Sequence, residues 1–132
     1  AFTPGTAISR STQAAIEAET DEATYVSPNL VRNSPSSAKG FVRIDAAGAI
    51  VAGSYNITSI TDTGVGDRTV VWATDFSNAN YTCVAAFAED ITGSAASYFS
   101  FDTFGVGSVR HAIARAAALV DQATGVVGFG DQ

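Results

Sequence analysis

From Phe41 onward, apolar and polar side chains alternate in short runs. Tyr81, Cys83, Ala85 and Phe87 fall on one face of an extended segment, and Val109, His111 and Ile113 on one face of another. A period of two marks a strand with one buried side. The runs recur at roughly 8- to 14-residue spacing, the rhythm of an all-β sandwich or small barrel. Strands are predicted over 41–45, 49–61, 68–75, 81–89, 97–103, 108–114 and 124–130. Between them lie Ala46-Ala47-Gly48, Thr63-Gly64-Val65-Gly66-Asp67, Ser77-Asn78-Ala79-Asn80, Ile91-Thr92-Gly93-Ser94 and Gly105-Val106-Gly107, all with residues that tolerate a positive φ. The RAAAL run over 115–119 also reads as a helical turn.

The first 40 residues follow a different pattern. STQAAIEAET over 11–20 has good helix formers and a Ser start, but its apolar members are only Ala14, Ala15, Ile16 and Ala18. Ser27-Pro28 pairs a capping hydroxyl with a proline suited to a first helical turn, predicting a short helix over 28–32 that stops near Ser34-Pro35. Leu30 and Val31 are its buryable residues. Such thin helices offset poorly a backbone entropy cost of roughly 1–2 kcal/mol per residue. The segment is therefore either disordered or packed against another chain. The chain is expected to divide into residues 1–12, a short helical segment over 13–40 and a β domain over 41–132.

Composition sharpens the division. Ala, Gly, Ser and Thr make up 63 of 132 residues and there are two leucines, whereas the apolar mass lies in 13 Val, 8 Ile and the aromatics. These β-branched and aromatic types suit pleated surfaces rather than helical bundles. The net charge of −6 and the scattering of Arg10, Arg32, Lys39, Arg43, Arg68, Arg110 and Arg115 argue against nucleic acid as a partner. No apolar run has the length of a membrane span, so membrane insertion is not expected. Cys83 is the sole cysteine, which excludes an intrachain disulfide and a thiolate metal cluster.

The run Glu17-Ala18-Glu19-Thr20-Asp21-Glu22-Ala23-Thr24-Tyr25-Val26-Ser27-Pro28-Asn29-Leu30-Val31 resembles a short motif of tailed-bacteriophage fibre proteins. There, an acidic or small Thr-Asp turn precedes an aromatic or apolar residue and a Ser/Thr-Pro cap. Here Glu19 stands where glycine is common and Ser27 where threonine is common. The C-terminal part is similar to the fibre tip domains of phage virions in Ser54-Tyr55-Asn56, in Thr61-Asp62-Thr63-Gly64-Val65-Gly66-Asp67, in Phe76 with Asn80-Tyr81, and in the closing Phe129-Gly130-Asp131-Gln132. The resemblance spans about residues 13–132.

It implies a homotrimeric virion fibre. An N-terminal arm carrying Phe2, Thr3, Pro4 and Ile8 would dock on tail, baseplate or capsid proteins, and a β head would meet a glycan or protein on the host cell surface. In a three-fold bundle, Ala14, Ile16, Ala18, Leu30 and Val31 would bury against two further copies. The two other readings are a capsid head fibre or decoration protein and a carbohydrate-cleaving tail protein.

Enzymatic chemistry finds little support. Glu17, Glu19, Asp21 and Glu22 form the densest acid group, and paired carboxylates serve glycosidases; on a short helix and turn they read more simply as a solvated face. His111, the single histidine, sits on a strand face and reads as a packed, hydrogen-bonded residue rather than a general base. Asp62 and Asp67 flank a glycine-rich turn but lack the spacing of a calcium loop. Cys83 reads as a small buried hydrophobe. No catalytic residue, cofactor or metal site is expected, and the chain is not read as an enzyme.

If the strands form a simple antiparallel meander, alternate connections share one end of the domain. That end gathers the 46–48 turn, the 76–80 and 104–107 loops, and the C-terminus. Phe76, Asn78, Asn80 and Phe104 then form the expected host-contact face, with aromatic surfaces and amides suited to sugars or protein epitopes.

Overall fold

The computed structural model describes residues 9–18, 20, 24–28, 30–34, 36–87, 97–116 and 118–132. The chain is mainly β and divides into two units, Ala1–Ser37 and Ala38–Gln132. Phe2, Thr3, Pro4, Ile8, Glu19, Asp21 and Glu22 lie outside the described residues.

In the first unit, helix α1 covers only Gln13–Glu17, well short of the expected 11–20. Its cap is Thr12, whose hydroxyl accepts from the Ala15 amide at 3.2 Å. Ser11 is drawn elsewhere: its hydroxyl bonds that of Thr24, and its amide donates to the Tyr25 carbonyl at 2.9 Å. The expected helix over 28–32 is a single 3-10 turn, Val31–Asn33, with no side-chain cap. The Ser27 carbonyl takes the Leu30 amide, at 2.9 Å. None of the hydrophobic side chains described in this unit is buried.

The second unit holds nine strands among its described residues: β1 (Gly40–Ile44), β2 (Ile50–Tyr55), β3 (Ile57–Gly64), β4 (Asp67–Trp72), β5 (Thr82–Phe87), β6 (Ser97–Gly105), β7 (Ser108–Arg115), β8 (Ala118–Leu119) and β9 (Thr124–Phe129). They form two antiparallel sheets, β2-β1-β9-β5 and β3-β4-β7-β6, with β8 added to β7. Val42, Ile44 and Val126 from the first sheet meet Val70, Trp72 and Val109 from the second in one core. The result is a sandwich, not a closed barrel.

Three strand-level expectations change. The predicted strand over 49–61 is two strands, broken at Asn56, where φ is +57°. The RAAAL run is not helical; it ends β7, turns at Ala116 with φ +49° and starts β8. Nor is the order a meander, because β2 to β3, β4 to β5 and β5 to β6 each change sheet.

The altered order decides which loops share an end. At the end where β1 begins, the Lys39 amide donates to the Gly128 carbonyl, the Ser77 amide to Asp131 and the Phe76 amide to Val106, at 2.8, 2.8 and 2.9 Å. The 76–80 loop, the 105–107 turn and the C-terminus therefore gather there. The 46–48 turn lies at the opposite end, where the Ala46 carbonyl accepts from Arg68 and the Gly66 amide donates to Asp121.

Candidate functional site

The expected contact residues do lie near one another, but two of them serve the core. Phe76 is 3% exposed. Its ring stacks on Tyr81 at 3.9 Å between centroids and meets Trp72 edge-on at 5.4 Å. Phe104 is half-buried and edge-on to Tyr81 at 5.2 Å. Tyr81 ties this cluster together. Its hydroxyl accepts from Trp72 Nε1 at 3.2 Å and lies 2.7 Å from the Ser108 carbonyl and 3.0 Å from that of Gly105. A buried phenol needs such partners, and burial pushes its pKa up. Phe76 is thus a correction: its ring has no free face for a ligand. Asn78 and Asn80 are exposed, and Asn78 Oδ1 accepts from the Asn80 amide at 2.8 Å. These loops sit at the end where β1 begins, not at the far end that the meander placed them on.

The opposite end is polar inside. Arg68 alternates with Val70 and Trp72 along β4, and that phase turns all three inward. It is fully buried. Its Nη1 donates to the carbonyls of Asp45 and Gln122, each at 3.1 Å, and Nη2 to that of Ala46 at 2.6 Å. Asp121 Oδ1 lies 3.4 Å from Nη2. One guanidinium thereby fastens the β1–β2 turn and the segment before β9 to the other sheet, the forked geometry that lysine lacks. In the sequence Arg68 is one of seven scattered bases. The signal that finds it is its place in the β4 alternation.

His111 is Arg68's register partner on β7 and is also fully buried. The ring is packed as expected but not hydrogen-bonded: neither nitrogen has a partner among the described residues. Burial, then the charge of Arg68, hold its pKa down to about 4, with Asp67 pulling the other way. The imidazole is neutral at pH 7 and presents no surface to a substrate.

The remaining candidates have structural places. Glu17 accepts from Gln13 Nε2 at 2.6 Å. Asp62 and Asp67 border the β3–β4 hairpin; Asp62 Oδ1 accepts from the Gly64 amide at 3.0 Å, while Asp67 takes both arms of Arg110, at 2.6 and 2.8 Å. The Arg110 bonds hold the Asp67 pKa below the ordinary carboxylate range. Cys83 is half-buried on β5, and burial pushes its thiol pKa up to about 12. Among the described residues, no group of three His, Cys, Asp or Glu side chains is placed to hold a metal ion.

Of the expected subunit contacts, Ala14 and Ala18 are exposed, Ile16 and Leu30 are half-buried, and Val31 is 52% exposed. Sequence reading missed a second apolar surface, on the outer side of the first sheet. Phe41 pairs with Tyr55 on β2 and Val127 on β9, and Val127 with Val84 on β5. This row crosses all four strands, and Phe41, Tyr55 and Val84 are among the exposed large hydrophobics. The signal lay in β1, where Phe41 falls on the opposite phase from Val42 and Ile44.

No known protein family matches the chain, and neither does any curated protein or solved structure.

Proposed function

We propose that the chain is a structural fibre protein of a tailed-phage virion, a homotrimer whose β-sandwich mediates adhesion to the host surface. The observation that carries this reading is the first unit, which has hydrophobic side chains and buries none of those described. Tyr25 and Val31 leave about half their surface exposed, at 53% and 52%. Further copies of the same chain supply the missing cover without another component, and the Tyr55-Phe41-Val127-Val84 row gives the sandwich a matching surface for self-contact. The fibre resemblance of residues 17–31 and 54–132 supports the same reading.

The reading also needs an adhesive face. We assign it to the end of the sandwich opposite the start of β1. There Val65 in the β3–β4 turn and Leu119 in β8 are 60% and 49% exposed. Single weak contacts at three such tips add through effective concentration rather than through the strength of any one. Imaging of the intact particle tests the assignment. Density for the sandwich projecting from tail or baseplate is the expected result, density spread over the capsid shell moves the chain to the decoration role, and absence from the particle contradicts both.

A further inference from the structure

The polar end of the sandwich carries a second inference, independent of the adhesive reading. Arg68 and His111 lie directly opposite each other on β4 and β7, both facing inward, and such cross-strand partners stand about 4.5–5.5 Å apart at Cβ. Arg68 spends its guanidinium on the backbone of the other sheet, at Asp45, Ala46 and Gln122. We propose that His111 and Arg68 form an acid-sensitive latch. Protonation of His111 sets a second positive charge beside the guanidinium and drives Arg68 off those carbonyls. The 45–49 turn and the 120–122 segment are then freed while the rest of the sandwich stays folded.

The surroundings offer an imidazolium only the opposing pull of Asp67, outweighed by burial and by Arg68. On β6 its register partner is Phe101, with ring centroids 6.2 Å apart. At this end β9 and β5 turn Thr124 and Phe87 inward, neither of them titratable. Asp67 stands on the other face of β4 with its carboxylate held by Arg110. Asp62, Arg68's partner on β3, is exposed, and Asp121, at 3.4 Å, is engaged with the guanidinium itself. Neither ring nitrogen has a hydrogen-bond partner among the described residues that would favour the charged form.

A ring that titrates at about 4 when closed and near 6.5 when opened makes the closed latch the weaker proton binder. The latch is fully closed above pH 6.5 and loses stability as the pH falls toward 4. Between pH 7 and 4.5 the opened population rises about 50-fold.

Amide hydrogen exchange on the full chain tests the latch at the amides of Gly48, Asp45 and Val120. All three donate to backbone carbonyls; the Asp45 and Asp121 carboxylates, which hold the same two segments at the Ala49 and Gly66 amides, are present in the wild type and in the variant below alike, so the difference between the two proteins reports His111. After correction for intrinsic rates, opening at these sites rises about 50-fold from pH 7 to 4.5 in the wild type, while Val126 and Val70 in the central strands keep their protection. The His111→Phe variant, similar in shape and unable to titrate, shows no such rise. Equal rises in both proteins, no rise in the wild type, or a rise spread evenly over both sheets overturns the proposal. Should the variant fail to fold, the ring resonances of the single histidine decide: titration near 6.5 in the folded wild type contradicts the latch, and titration near 4 together with release at the three amides supports it.

Discussion

Asn56 and Thr74 hold each other by a reciprocal pair of hydrogen bonds. The Thr74 amide donates to Asn56 Oδ1 at 2.6 Å, and Asn56 Nδ2 donates to the Thr74 carbonyl at 3.2 Å and to that of Lys39 at 2.9 Å. Asn56 occupies the left-handed region that asparagine tolerates better than most residues. The pairing sends β2 into one sheet and β3 into the other. Asn56→Ala removes three hydrogen bonds and keeps an unfavourable φ, so it destabilises by about 2–3 kcal/mol. Asn56→Gly restores the φ and costs about half as much. Urea unfolding followed by Trp72 fluorescence gives both values, and equal losses contradict the backbone part of the argument.

Tyr81→Phe leaves the aromatic packing in place and removes the hydroxyl. Trp72 Nε1 then loses its partner within the buried cluster, and an unsatisfied buried donor costs about 1–3 kcal/mol. Equilibrium unfolding checks the loss. An unchanged midpoint would show that the hydroxyl bridge carries no net stability.

A Cβ added at Gly66 would lie 2.6 Å from the carbonyl oxygens of both Ile113 and Val120, and the residue's φ is +65°. These are backbone atoms with little freedom to retreat. Gly66→Ala therefore combines overpacking with a left-handed alanine and destabilises by about 2–4 kcal/mol, with exchange at the Ile113 and Val120 amides rising first.

Global stability carries the sign of the His111 shift. The folded-state pKa of about 4 lies below the unfolded value of about 6.5, so the neutral ring's contribution is complete above pH 6.5 and is lost as the pH falls through 4. At about 1.4 kcal/mol per unit the loss is about 3 kcal/mol. His111→Phe flattens this part of the profile and at pH 7 is neutral or stabilising, since it removes two unpartnered buried nitrogens. Thermal melts at pH 7, 5.5 and 4 measure the difference between the two proteins.

The strands were largely legible because alternation records burial. Val109, His111 and Ile113 point inward together, as their spacing requires. The order of strands was not legible, because a period of two tells which side of its own strand a residue occupies and nothing about the neighbouring strand. The pattern Ser54-Tyr55-Asn56-Ile57-Thr58 runs on through the corner at Asn56, and only the tolerance of asparagine for a left-handed φ hinted at it. The missed corner adds a strand and so shifts every later connection to the other end of the domain, which misplaced the contact face. The burial of Phe76 was hidden for a different reason: a ring in a loop between strands has no phase to read, and its place is set by Tyr81 across the loop. Arg68 did have a readable phase, but charge alone argued for the surface, and its three carbonyl partners come from residues about 22 and 54 positions away.

Sedimentation equilibrium of the purified chain measures self-association. A species of three times the 13.5 kDa chain mass is expected, converted to smaller species by Ile16→Asp together with Leu30→Asp. A monodisperse monomer at every concentration, with the wild-type sequence intact, would contradict it.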